Sequence, residues 1–201
     1  MNYRFGPTVR GAAALLLLAL TASMPNAAQA GFTVTLDSVS GGGPFTFAYS
    51  ATIPVGDQIS PGDFFRIFDF NGYVAGSALM PAGWSLGVAN TNPTPPPNVI
   101  LTHSDDITLP NLTFTYNGGA PIVGGATVSG FSAQSVFGSF GVVKDFVGRD
   151  TKSTGPTAGT FVDSIGDIGV PGAVPEPGSI VSLLLGGTML AAAGRRYCRR
   201  V

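Results

Sequence analysis

Phe45-Thr46-Phe47-Ala48-Tyr49-Ser50-Ala51-Thr52-Ile53 decides the fold class of this chain. Phe45, Phe47, Tyr49, Ala51 and Ile53 fall on one side of an extended backbone, with Thr46, Ser50 and Thr52 on the other, so the segment reads as a strand with one buried face. Leu112-Thr113-Phe114-Thr115-Tyr116 repeats the pattern, and Phe32-Thr33-Val34-Thr35-Leu36 gives a third strand, ended by Gly41-Gly42-Gly43-Pro44. Residues 64–70 are apolar on both sides apart from Arg66 and Asp69, which predicts a central strand covered on both faces. Further strands are expected at 84–88, 99–102, 126–132, 138–143 and 160–162. Ile59-Ser60-Pro61-Gly62-Asp63, Asn71-Gly72 and Tyr116-Asn117-Gly118-Gly119 supply turn residues between them. Asn92-Pro93-Thr94-Pro95-Pro96-Pro97 reads as a stiff surface loop that divides two sheet halves. Apolar spacings of three and four are missing before residue 178, so the expected domain is all-β: an antiparallel, jelly-roll-like β-sandwich over residues 31–168. From Asp167 to Gly172 the composition turns linker-like, and residues 169–174 are expected to be a linker.

Charge excludes some functions. Between residues 31 and 173, Arg66, Lys144, Arg149 and Lys152 face ten aspartates, and four against ten leaves −6, although the whole chain carries only −1. A mildly acidic, cation-poor domain argues against nucleic acid and against docking on anionic lipid. Cys198 is the only cysteine, so the domain has neither a disulfide nor a thiol nucleophile.

Both ends read as addresses. Arg4 and Arg10, an apolar stretch at 12–22, and Ala28-Gln29-Ala30 form a Sec-type signal peptide over residues 1–30, with signal peptidase reading Ala28 and Ala30 and cutting before Gly31. There is no early Arg-Arg pair for twin-arginine export and no cysteine near Ala30 for a lipoprotein. At the other end, Val174-Pro175-Glu176-Pro177-Gly178-Ser179 precedes 17 uncharged residues, 178–194, and then Arg195, Arg196, Arg199 and Arg200. As a helix those 17 residues span about 25 Å. Flanking arginines can extend that reach toward a bilayer core of about 30 Å. The arginines place the tail in the cytoplasm and residues 31–173 across the membrane. The Pro-Glu-Pro segment cannot continue a helix and so offers an accessible backbone at the membrane.

This composite over residues 174–201 resembles the PEP-CTERM sorting domain of Gram-negative bacteria. The resemblance implies that exosortase, a membrane cysteine protease or transpeptidase, processes the chain near Pro175, Glu176 and Pro177 after transient anchoring in the inner membrane. It also implies a mature form at the cell surface or in an exopolysaccharide matrix. Gly62-Asp63-Phe64-Phe65-Arg66-Ile67-Phe68-Asp69-Phe70 and Pro81-Ala82-Gly83-Trp84 also look like the body of small PEP-CTERM proteins, a likeness that brings no activity with it.

Chemistry is sparse. His103-Ser104-Asp105-Asp106 contains the residue types of a serine triad, but triad members converge from separate elements, and no Gly-x-Ser-x-Gly elbow is present. A polar loop histidine is the competing reading. Asp57, Asp63, Asp69 with Asn71, and Asp105 with Asp106 offer hard oxygen ligands in turn regions, which makes them calcium candidates against the alternative of solvated turn aspartates. Trp84 and Tyr73, beside turns, are candidates for stacking on sugar rings, whereas Tyr49 and Tyr116 share faces with phenylalanines and belong to the core. The expectation is therefore a non-enzymatic envelope or matrix protein, structural or adhesive and polysaccharide-associated, with no cofactor. A carbohydrate-binding module is the alternative, and a secreted hydrolase comes third.

Overall fold

The computed structural model describes residues 31–90, 95–97 and 99–172. Ten strands occur among them: β1 (Thr33–Ser40), β2 (Phe45–Ile53), β3 (Asp57–Ile59), β4 (Phe64–Ile67), β5 (Trp84–Ala89), β6 (Asn111–Tyr116), β7 (Ile122–Val123), β8 (Ala126–Ser135), β9 (Ser139–Lys152) and β10 (Phe161–Gly172). The described residues contain no helix, so none that is long and apolar enough to cross a membrane. The expected signal peptide, the sorting tail and part of the proline-rich loop lie outside them.

Every ladder is antiparallel, in two sheets. The smaller runs β1-β2-β8. In the larger, β5, β6, β4 and β9 lie side by side, β3 continues along the edge of β9 that β4 occupies, β7 pairs with β3, and β10 lines the other edge of β9. The alternation in β2 and β6 holds: Phe47, Tyr49, Ala51, Ile53, Leu112, Phe114 and Tyr116 are all buried. Their rings bring the sheets together. Phe131 of β8 packs against Phe65 of β4, Trp84 of β5 and Phe114 of β6 at centroid distances of 4.9, 4.9 and 5.3 Å, two near-perpendicular and one stepped at 68°. These edge-to-face placements suit ring quadrupoles, and truncating Phe131 to alanine costs about 3–5 kcal/mol. The Tyr49 hydroxyl crosses the core to donate to the Gly169 carbonyl of β10 at 3.1 Å.

β4 is central, as its composition predicts, but it stops at Ile67. Asp69 has φ 54°, left-handed geometry that breaks the ladder, while Phe68 and Phe70 stay buried. Residues 99–102, expected as a strand, are irregular. Val99 and Leu101 instead pack with Phe68 on Val147, so this loop covers the outer face of β9. Their apolar pattern reflects a cover, not a ladder.

Residues 167–172 also depart from expectation: they are the second half of β10, paired with β9, with Ile168 and Val170 buried. The glycines that suggested a linker answer close packing. A Cβ on Gly166 would lie 2.6 Å from the Phe146 ring, and one on Gly172 would collide with Val142. The sheet therefore runs past 168 and takes up most of the expected linker.

Candidate functional site

β9 sorts its side chains by parity. Phe146 is in the core and Gly148 lies under the Phe32 ring, so even-numbered residues face inward, while Asp145, Val147, Arg149 and Thr151 face outward. The loop that seats Val99 and Leu101 on Val147 also delivers Thr102 and His103 to Asp145. Three donors converge on that carboxylate. The His103 amide donates to Oδ2 at 2.8 Å, His103 Nδ1 lies 2.9 Å from Oδ1, and the Thr102 hydroxyl donates to Oδ1 at 2.5 Å. The Asp145 side chain is 1% exposed and that of His103 38%. Burial alone opposes ionisation of Asp145, but the bonds from Thr102 and His103 outweigh it and hold its pKa below the ordinary carboxylate value. Asp167, the direct partner of Asp145 on β10, is well exposed, with Oδ1 3.9 Å from His103 Nδ1.

A carboxylate at Nδ1 fixes the proton there and leaves Nε2 as the ring's acceptor. Thr102, the hydroxyl in contact with the ring, lies 3.1 Å from Nδ1, on the side that Asp145 already holds. A nucleophile would have to approach the other nitrogen, so Thr102, His103 and Asp145 form an orienting network and not a relay. His103, Asp145 and Asp167 also place one ligand atom each within 4.8 Å of one another, the spacing of a divalent cation with nitrogen and oxygen ligands. Two of those atoms are bonded to each other, so an ion has to displace a made hydrogen bond to enter.

The structure divides the calcium candidates. Asp69 and Asp105 come together. Asp69 accepts from the Asp106 amide at 2.8 Å and pairs with Lys144 Nζ at 2.6 Å, while Asp105 accepts from Asn111 Nδ2 at 3.1 Å. Burial, reinforced by Asp69, raises the Asp105 pKa. Asp106 turns away to hold the Thr108 amide and hydroxyl at 2.9 and 2.7 Å, which lowers its pKa. Asp63 lies at the other end of β4, where it accepts from the Ser60 amide and the Thr151 hydroxyl. Asn71 takes part through its carbonyl, which accepts from Ser135. Asp69 is already paired with Lys144, and two carboxylates fall short of the six to eight oxygens calcium takes.

Trp84 is corrected more sharply. It is 8% exposed and enclosed by Phe65, Tyr116 and Phe131, so it is core and offers no sugar platform. Its place beside a turn hid the inward register of β5. Tyr73 is half-buried, edge-on to Phe70 at 6.0 Å. The acid that orients His103 is Asp145, 42 positions away, and neither Asp105 nor Asp106. A groove of about 420 Å³ follows the seam where β1 and β10 part, lined by Phe32, Val34, Phe146, Ser164 and Asp167 among others. No family model, curated protein or solved structure matches this chain.

Proposed function

We propose that this chain is an exported envelope or extracellular-matrix protein with a structural or adhesive, non-enzymatic role, its body a jelly-roll-like sandwich. One observation carries the reading: Val174-Pro175-Glu176-Pro177, an uncharged run at 178–194, and Arg195, Arg196, Arg199 and Arg200, in that order, in a chain that opens with a signal-peptide pattern. Signal peptidase removes residues 1–30, the run at 178–194 holds the precursor in the inner membrane, and exosortase processes it near Pro175 to Pro177. The all-β body suits the role, since it closes a large aromatic core without cysteine and depends on no disulfide. Polysaccharide contact, in this reading, falls to the half-buried Tyr73 and the β1–β10 groove, since Trp84 is committed to the core.

The test is made in a Gram-negative host that carries exosortase. Intact masses from membrane and extracellular fractions should begin at Gly31 and end near Pro177, and a chain truncated before Val174 should lose its membrane-associated stage. Equal final location and equal membrane retention of the truncated and full chains would refute the sorting role.

A further inference from the structure

A second polar group lies on the inner face of β9, sealed inside the sandwich. Asp57 stands directly opposite Lys152 in the β3–β9 ladder, and Lys152 Nζ lies 2.5 Å from Asp57 Oδ1, with the two side chains 6% and 1% exposed. Asp150 precedes Lys152 by two residues and so shares its face; it is fully buried, and neither of its oxygens has a hydrogen-bond partner on another residue. Asp57 Oδ2 is unpartnered as well. Fully buried Ile59 follows Asp57 on the same face of β3. Asp63 adjoins the group from the β3–β4 turn, with Oδ2 held by Ser60 and Thr151 and Oδ1 unpartnered. Buried ion pairs persist when hydrogen bonds satisfy their remaining lone pairs. Here a lysine and an aspartate touch in a buried interior, a second acid beside them has no partner on another residue, and hydrogen bonds from the protein do not account for the arrangement.

We propose that Lys152 and Asp57 condense into an intramolecular isopeptide bond, with Asp150 as the buried group that shuttles the protons. The step begins with one proton passing across the contact from Lys152 Nζ to the Asp57 carboxylate, which gives a neutral amine beside a neutral acid. The Nζ lone pair attacks Asp57 Cγ. Protonated Asp150 gives its proton to the oxygen that leaves, and its carboxylate takes up the proton that nitrogen sheds. One C–N bond forms, one C–O bond breaks, one water departs, and Asp150 ends as it began. No oxidant, metal or nucleotide enters the balance. Burial first, and the charges of Asp57 and Asp63 after it, push the Asp150 pKa up to about 7 against the pull of Lys152, which suits a group that must both give and take a proton near neutrality. A carboxylic acid is a poor electrophile, and the offset is proximity: fixed neighbours react with effective molarities of about 10⁵–10⁸ M. The product replaces a buried ion pair with an uncharged amide and staples β3 to β9 across 95 positions, in a domain with no cysteine to do so.

Mass spectrometry of the full chain, purified in detergent without heating and aged at pH 7, tests this. The expected mass is one water below that of the chain between its observed ends. Trypsin does not cut after an acylated lysine, so a branched peptide should join the segment ending at Arg66 to the one beginning at Asp150. Lys152→Arg and Asp150→Asn should stay at the unlinked mass, the second with an unchanged circular dichroism spectrum. Asp57→Asn should link by losing ammonia and reach the wild-type product, which keeps the test decisive if Lys152→Arg fails to fold. A folded wild-type chain at full mass with Lys152 still cleavable would overturn the bond. So would water loss without the branched peptide, the mark of a succinimide. An Asp150→Asn chain that links as completely as wild type would overturn the role given to Asp150.

Discussion

Asp145 and Asp150 are both buried aspartates on β9, five residues apart and on opposite faces, and their surroundings could hardly differ more. Asp145 looks outward into a loop that brings it three donors, and its pKa sits below the ordinary value. Asp150 looks inward, finds no donor on any other residue, and has its pKa pushed up to about 7. Burial by itself therefore does not decide whether a carboxylate stays charged; the arrival of donors does. One strand carries a satisfied acid for structure and an unsatisfied one for chemistry.

The largest test of that contrast is Lys152→Met. It removes the one cation of the inner group and leaves Asp57 and Asp150 buried without a counter-charge, so urea unfolding at pH 7 should show a loss of about 3–5 kcal/mol against wild-type chain that has not yet linked. Asp150→Asn should act in the opposite direction. Its folded pKa is raised, so the folded state holds the extra proton between about pH 4, the unfolded value, and about pH 7. Wild-type stability then falls as pH rises through that window. Measured against wild-type chain that has not yet linked, the variant lacks this slope and should be more stable by about 2–4 kcal/mol at pH 8, converging with it at pH 4, in denaturation series across pH.

Asp145→Asn should lose about 1.5–3 kcal/mol at pH 7, the worth of hydrogen bonds to a charged acceptor. Here the sign reverses: the folded pKa is lowered, so the stabilisation is present above the unfolded value near 4 and is lost as pH falls below it. Wild type and variant should approach each other in unfolding curves near pH 2. His103→Gln is the smallest change, about 1 kcal/mol or less on a partly exposed side chain, but it should raise the Asp145 pKa in a carboxyl-carbon NMR titration. An unchanged Asp145 pKa would mean that Thr102 and the backbone amide of residue 103 set it without the imidazole.

Local alternation made most of the sandwich legible. β2, β6 and the start of β1 could be read residue by residue, because one apolar face against one threonine face admits one register. β9 and β10 were recognised only at their beginnings, since Lys144, Asp145, Arg149 and Asp150 interrupt the pattern and glycines imitate a linker. Three of them are tolerated because partners meet them: Asp69 for Lys144 and His103 for Asp145 from far along the chain, and Asp163 for Arg149 from across the β9–β10 hairpin. Long-range pairing leaves no periodic trace. The same reason hid both polar groups, and the burial of Trp84 depended on which way β5 faced. The one clue in the sequence was a cluster of charges in a chain otherwise poor in them.

The pairing of β10 also sets how the domain bears load. Whatever follows residue 172 pulls on the end of β10, where Gly172 pairs with Ser139 at the very start of β9. Tension at that point, resisted elsewhere in the domain, loads the two strands as a zipper opened from one end, so the ladder bonds are strained in turn and not all at once. The first to meet the strain are the Ser139 hydroxyl on the Gly172 carbonyl and the Tyr49 hydroxyl on the Gly169 carbonyl, the latter anchored in the opposite sheet. These two side-chain bonds act as the catch on the zipper, and an optical-trap pull through the C-terminal end would meet them before the core.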